Sequence, residues 1–279
     1  MYLARLISDN ILVAYECLHY MKTNRTKKNS FCALKLDMTK AYDRVEWNFL
    51  EAMMLGFHDQ WVRTIMKCVT SVSYSIILTG SIWIFFEPSH GIRQGDPISP
   101  YLFLLCAEAL TCCLKKEEAN KRLQGVQITT TAPIISHLLF ADDSLLLFKA
   151  TSVCADVVSR VLTNYCAASG QLVNFSKSCI FFSKKCDMAI REDIKRKVGM
   201  TNESITDRYL GLPTDVGRAK EGKFKYLKDR VWKRVQGWME KTLSVGGKEV
   251  LIKSTRKVAR ANARACILFC FRNSSNKIS

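Results

Sequence analysis

No apolar run in this chain of 279 residues approaches the roughly 18 residues that a membrane-spanning helix requires. The opening MYLARLISDN lacks the apolar block of a secretory signal. Twelve cysteines are scattered without a C-x-x-C pair, so their spacing supports neither a zinc site nor a disulfide framework. A reduced, intracellular setting is the simpler expectation, with no membrane partner. Internal repeats and low-complexity tracts are absent as well. Acidic residues are scarce, 25 against 42 Lys and Arg, for a net charge of +17. The imbalance is uneven. Residues 218–279 hold 17 Lys/Arg and 4 Asp/Glu, an excess of 13. A basic excess of that size fits a phosphate-backbone partner better than a merely solvated surface. Such binding would weaken with salt through counterion release.

A hydrophobic content of 48% supports a real core. Within it, Phe140-Ala141-Asp142-Asp143 separates two short apolar runs, as HLLF-ADD-SLLLF. That layout predicts a β-hairpin with two adjacent carboxylates at its turn. Like charges at a turn repel at close range, and a cation relieves them. An isolated ADD would more often be a solvated acidic turn. A third aspartate, Asp37, ends another strand-like run, FCALKLD. Alternation places Phe31, Ala33, Lys35 and Asp37 on one face and the apolar Cys32, Leu34 and Leu36 on the other. Three carboxylates from two strand ends can hold two Mg²⁺ ions, which take oxygen ligands and combine one or two carboxylates with substrate phosphates. Two such ions about 4 Å apart activate an attacking 3′-hydroxyl and stabilise a leaving pyrophosphate.

The remaining pattern supports a mixed architecture. Residues 7–22 read as a helix with Ser8, Asp9 and Asn10 as caps. A polar basic loop follows at 23–30, then the Asp37 strand and a helical stretch over about 45–68. SYSIILTGSIWIFF predicts a hairpin around Gly80. Ser99-Pro100 predicts a helix with Ser99 as its cap and Pro100 opening it, running to Lys115 and Lys116. Another helix is expected over about 152–168, closed by Gly170, then a strand through LVNFSKSCIFF. This order predicts an α+β fold, helices backing a largely antiparallel sheet. Beyond about 216 the pattern turns basic and helical, with Gly246-Gly247 as a break.

Seven strings occur in one order: RLISDNILVAYE, LKLDMTKAYDRVEW, GIRQGDPISPYLF, FADDSLLLF, SGQLVNFSKS, YLGLPT and WKRVQGWMEKTLSVGGKEVLIKS. Together they resemble the reverse transcriptase domain of non-LTR (LINE-type) retrotransposons, most closely those of plants, over about residues 5–254. The resemblance implies a polymerase palm with partial fingers over 1–215, and the start of a basic, mostly helical thumb over 216–279 with a divergent tail. It implies RNA-directed DNA polymerase activity on an RNA template, a DNA primer and dNTPs, with Mg²⁺ or Mn²⁺ in its place, and a nuclear location.

The resemblance makes Asp37, Asp142 and Asp143 the metal-binding carboxylates. Tyr42 matches an aromatic beneath the incoming sugar, where a bulky ring excludes a ribose 2′-hydroxyl; its plainer reading is a core aromatic. Gln94 and Gly95 match the lining of the nucleotide and template pocket. Arg93 can reach phosphate through its guanidinium, and Gly95 lets backbone approach a ligand. Lys177 matches a lysine that protonates the leaving pyrophosphate or stabilises its charge. Tyr209, Leu210 and Gly211 resemble the hairpin that holds the primer end. Asp43 belongs to its motif without an assignable role.

Relatives carry a longer fingers segment and an endonuclease ahead of RLISDN, and often a cysteine/histidine module downstream. Here the residues after LIKS depart from the family's usual continuation. The resemblance therefore points to a domain shortened at both ends. Two other readings stay open: a catalytically silent remnant that binds nucleic acid, and a maturase-like splicing factor on a related fold.

Overall fold

The computed structural model describes residues 7–24, 30–203, 208–209, 212–213 and 249. The chain divides into two compact units, one built on His19–Ser204 and the other on Tyr2–Leu18 with Ile205–Ser279. The boundary expected at 215/216 and the basic segment beyond it lie outside the described residues. In the second unit the description covers most of helix α1 (Ile7–Thr23) and two short strands. Ser8, Asp9 and Asn10 stand inside α1, not ahead of it as caps.

The first unit is organised by a four-stranded sheet. Its strands are β1 (Phe31–Leu36), β4 (His137–Phe140), β5 (Asp143–Lys149) and β6 (Cys179–Phe182), in the order β4-β5-β1-β6. Every pairing is antiparallel. Between β1 and β4 come α2 (Trp47–Met53), α3 (Asp59–Thr70), the hairpin β2 (Tyr74–Leu78) and β3 (Ser81–Phe86), and α4 (Ser99–Ala119). After β5 come α5 (Ser152–Ser169), β6 and α6 (Met188–Val198).

Pleat decides which side chains meet which layer. Cys32, Leu34 and Leu36 of β1 join Leu146, Phe148, Ile180 and Phe182 in one core cluster with Leu102, Cys106 and Leu110 of α4 and Val158 and Leu162 of α5. Burying each such large apolar side chain stabilises the fold by roughly 1.5–3 kcal/mol before entropy is counted. The opposite face of β1 is also buried at Phe31 and Ala33, whereas the alternation pattern assigned packing to the Cys32 face alone. The last turn of α1 lies on that side: the Tyr20 ring is 6.3 Å from Phe31, and Lys22 sits 5.7 Å over Phe181. Only Lys35 and Asp37 break the burial of this face.

Three expected elements differ, and one element is additional. The single helix over 45–68 is two: α2 stops at Met53 with Met54 as its cap, the chain turns through Gly56 at φ 98°, and the His58 imidazole restarts a helix by accepting from the Gln60 N–H. Ser99 does not cap α4. Ile98 is the cap residue, Ser99 is buried in the first turn, and Asp96 Oδ1 accepts from the Ile98 N–H at 3.0 Å. Helix α4 also runs past the lysines to Ala119. The strand expected through LVNFSKSCIFF is confined to Cys179–Phe182, because Asn174 closes a turn: its carbonyl accepts from Lys177 and Ser178, and its side chain from Ser176. Helix α6 was not expected, although Asp187 caps it and Gly199 closes it at φ 73°.

The β2–β3 hairpin turns through Thr79 and Gly80, at φ 53° and 85°, the two positive values that a twisted two-residue turn needs. It carries no charged residue, and Ile77, Trp83 and Phe85 are among its exposed side chains.

Candidate active site

The pairing of β1 with β5 runs from Phe31↔Lys149 to Leu36↔Ser144. One further step along that register sets Asp37 opposite Asp143. Phe140 pairs with Asp143, so Ala141 and Asp142 form the hairpin turn. Ala141 sits at φ 50°, a left-handed conformation that is unusual for a residue with a Cβ and the kind of local strain that collects at functional turns. Asp142 is exposed, and Asp143 and Asp37 are half-buried. Asp37 is tied from both sides: its N–H donates to Ser178 Oγ at 3.0 Å, and its carbonyl accepts from the Asn174 N–H at 2.8 Å.

Asp143 is the carboxylate on which the neighbouring charges act. Burial raises the pKa of Asp143, Asp142 and Asp37 raise it further, and Lys35 opposes them. This is the charge crowding that a divalent cation relieves. Among the described residues no group of three or more His, Cys, Asp or Glu side chains is placed so that it could hold a metal ion by itself. Mg²⁺ combines one or two carboxylates with substrate phosphates and water and does not depend on a cage made by protein alone. Asp37, Asp142 and Asp143 fit that donor chemistry.

Tyr42 lies beside this group and in the core at once. Its ring stacks on Phe103 of α4, with centroids 4.8 Å apart and planes 10° apart. Burial raises its pKa, and the nearby Asp142 carboxylate adds to the shift. Lys177 is exposed in the Asn174 turn, one residue before the Ser178 that holds Asp37.

Arg93, Gln94 and Gly95 are exposed in the loop before α4, with Gly95 at φ 89°. That loop is anchored to the segment after Asp37. The Gly91 N–H donates to the Val45 carbonyl, the Ile92 N–H to the Tyr42 carbonyl, and Trp47 Nε1 to the Gly91 carbonyl at 2.7 Å. Glycine is required at 91, where a Cβ would stand 2.7 Å from the Asp43 carbonyl oxygen. Arg93 and Gln94 line a cleft of about 780 Å³ with Lys40, Asp43, Tyr74 and Phe86. Asp37, Asp142 and Asp143 do not line this cleft, so the structure groups the carboxylates with Tyr42 and sets Arg93 and Gln94 on a neighbouring surface. Tyr209 pairs with Leu212 in the short ladder of β7 (Arg208–Tyr209) and β8 (Leu212–Pro213). Leu210 and Gly211 lie outside the described residues.

Sequence reasoning did not single out Gln171, Ser178 or Lys35. The first two stand inside SGQLVNFSKS, but nothing in that string marks their distant contacts. Lys35 was placed on the Asp37 face without a task.

Residues 4–227 match the family described as reverse transcriptase (RNA-dependent DNA polymerase). The chain belongs to this family. Three curated relatives resemble this reverse transcriptase. An uncharacterized mitochondrial protein of Arabidopsis thaliana is 46% identical over 68 residues, covering 24% of this chain and 56% of that protein. A Pol polyprotein of the type-1 retrotransposable element R2 from Popillia japonica is 34% identical over 131 residues, covering 46% and 21%. A 149 kDa protein of transposon TX1 from Xenopus laevis is 25% identical over 259 residues, covering 89% and 18%. The chain therefore spans between 18% and 56% of the length of these relatives. With its ordered motifs, it is a non-LTR retrotransposon reverse transcriptase sequence. Among solved structures, telomerase from Candida albicans, in complex with the TWJ fragment of telomeric RNA, superposes with a TM-score of 0.50 at 13% identity, covering 94% of this chain and 44% of that one. That likeness is one of fold, and the sheet backed by α4 and α5 is the palm of this reverse transcriptase.

Proposed function

We propose that this chain is the RNA-directed DNA polymerase domain of a non-LTR retroelement and extends a DNA primer on an RNA template. The observation that carries the reading is the placement of the three carboxylates at one end of the palm sheet, Asp37 just beyond the β1–β5 ladder and Asp142 and Asp143 at the β4–β5 turn. In this reading the three carboxylates hold Mg²⁺, which supplies Lewis-acid activation of the primer 3′-hydroxyl and charge stabilisation for the leaving pyrophosphate. Ser178 and Asn174 keep the Asp37 backbone fixed at the strand end. In this reading the Tyr42 ring, braced by Phe103, meets the incoming sugar and disfavours a 2′-hydroxyl. Lys177, exposed on the adjacent turn, offers a proton and a positive charge to pyrophosphate, and Arg93 and Gln94 meet the nucleotide and template from the anchored loop. Tyr209, Leu210 and Gly211 hold the primer end.

A second reading, a silent nucleic-acid-binding remnant, draws on the basic excess of residues 218–279. One assay separates the two. Primer extension on an RNA template with Mg²⁺ and dNTPs is measured for the chain and for Asp142→Ala, alongside filter binding of the same template-primer. Extension that Asp142→Ala abolishes, with binding retained, supports the polymerase. Binding without extension in the unmodified chain supports the remnant, and extension that survives Asp142→Ala refutes the site.

A further inference from the structure

The segment from Ser169 to Ser178 runs alongside residues 37–46 and is fastened to it at six points. Asp37 N–H donates to Ser178 Oγ, and Asn174 N–H to the Asp37 carbonyl. Thr39 N–H donates to the Leu172 carbonyl, and Gln171 Nε2 to the Ala41 carbonyl at 2.7 Å. Arg44 Nε donates to the Gly170 carbonyl, and Glu46 N–H to the Ser169 carbonyl. Three of these bonds join backbone to backbone, Arg44 donates from a half-buried side chain, and Ser178 accepts through a small buried hydroxyl. The Gln171 bond differs. Gln171 is 3% exposed, a burial that glutamine seldom shows. Its Oε1 is buried without a hydrogen-bond partner among the described residues. A buried, half-satisfied amide costs stability, and an apolar side chain of the same length would fill the space without that cost.

The one thing the amide does that an apolar side chain cannot do is hold the Ala41 carbonyl. That carbonyl belongs to the peptide joining Ala41 to Tyr42. A trans peptide is planar, so fixing its carbonyl fixes the whole plane and the starting direction of the Tyr42 side chain. Phe103 supports the far end of the same ring, and the Tyr42 carbonyl in turn anchors Ile92 at the head of the Arg93-Gln94 loop. Gln171 thus sits at the junction of the ring and the loop, 130 residues away from Ala41 in sequence.

We propose that Gln171 is a positioning residue for the nucleotide pocket, setting the Ala41–Tyr42 peptide through its side-chain amide at the expense of an unpaired buried oxygen. The proposal rests on the polymerase reading for its kinetic consequence. Its structural half stands independently of that reading.

The test variant is Gln171→Met, which keeps length and removes both the donor and the unpaired acceptor. Gln171→Ala, which also opens a cavity, serves as the packing control. In the full chain, Gln171→Met is expected to unfold at a urea midpoint close to that of the unmodified protein, while Gln171→Ala unfolds earlier. In primer extension, Gln171→Met should raise KM for dNTP severalfold, change kcat less, and lower discrimination against rNTP, because small misplacements in such sites cost up to about a hundredfold. Hydrogen exchange gives a readout free of catalysis: the Thr39 and Ile92 amides should exchange roughly fivefold faster in Gln171→Met, with the α5 amides unchanged. If the unmodified chain shows no extension, the polymerase reading fails and exchange alone decides the positioning claim. Unchanged exchange at Thr39 and Ile92, or a stability loss in Gln171→Met as large as in Gln171→Ala with unaltered KM, overturns it.

Discussion

Substituting alanine at two glycines with nearly the same backbone separates torsional strain from close approach. Gly95 has φ 89° and Gly170 has φ 75°, both left-handed. An L-residue placed there loses roughly 1–2 kcal/mol from its own Cβ against the following carbonyl. At Gly95 that is the whole expected cost, because a Cβ would meet nothing within 4 Å. At Gly170 the new Cβ would lie 2.3 Å from the Arg44 carbonyl oxygen and 2.8 Å from Glu46 Cγ. The glutamate side chain can swing away, but the backbone oxygen cannot move without pulling residues 44–46 off α5. That shift breaks the Arg44–Gly170 and Glu46–Ser169 hydrogen bonds, each contributing about 1 kcal/mol. Gly170→Ala should therefore cost about 3–4 kcal/mol. Urea denaturation followed by circular dichroism measures both variants, with an unchanged slope required for the comparison. Equal midpoint shifts for the two variants would show that Arg44 and Gly170 are not packed as described, and would refute the reasoning.

Three further outcomes are expected. Tyr42→Val removes the ring stacked on Phe103, so an active chain should accept rNTPs more readily and lose about 1 kcal/mol of stability; an unaltered dNTP/rNTP preference leaves Tyr42 a core aromatic only. Burial lowers the pKa of His137 to about 4, helped by Lys115 and opposed by Glu108 of α4. The unfolded chain then takes up this proton near the ordinary histidine value while the folded chain does not. The stability is intact above about pH 6.5 and falls towards pH 4, by up to about 3 kcal/mol. His137→Gln should flatten that part of the stability curve, and an identical slope in the variant refutes the assignment. Nucleic-acid binding should weaken linearly in log K against log salt, as release of counterions from phosphate demands; a flat dependence would exclude the basic excess as its source.

The parts of the fold that were legible in the sequence are those set by local pattern. FCALKL and SLLLF are short apolar runs with turn residues at their ends, and they pair as β1 and β5. Gly170 closes α5 where a helix stop was visible. The misread elements turned on single residues whose effect depends on neighbours. Histidine is an uncommon cap, and His58 acts as one only because α2 has already stopped at Met53 and the chain has turned at Gly56. Ser99 looks like a cap beside Pro100, but Asp96 reaches the Ile98 N–H first and starts the turn earlier. The carboxylates could be suspected from their spacing and charge. Gln171 and Ser178 could not, because their partners, Ala41 and Asp37, lie 130 and 141 residues away and no local pattern records the contact.

The strand order has a consequence for how the chain reaches this state. β1 sits between β5 and β6, so the first strand of the sheet to be synthesised is the one whose partners arrive last. Cys32 must wait for Phe182 on one edge and Phe148 on the other. At about 5–20 residues per second, the interval on a ribosome is on the order of ten to thirty seconds. For that time an apolar strand with two open edges has no native partner, and contacts this distant are slow to close. Substitutions in FCALKL should therefore reduce the yield of folded protein more than their effect on final stability would suggest. The same order makes assembly of the carboxylate group late and all-or-none: Asp37 is made early, but its position is set only when β5 and the turn before β6 close around it.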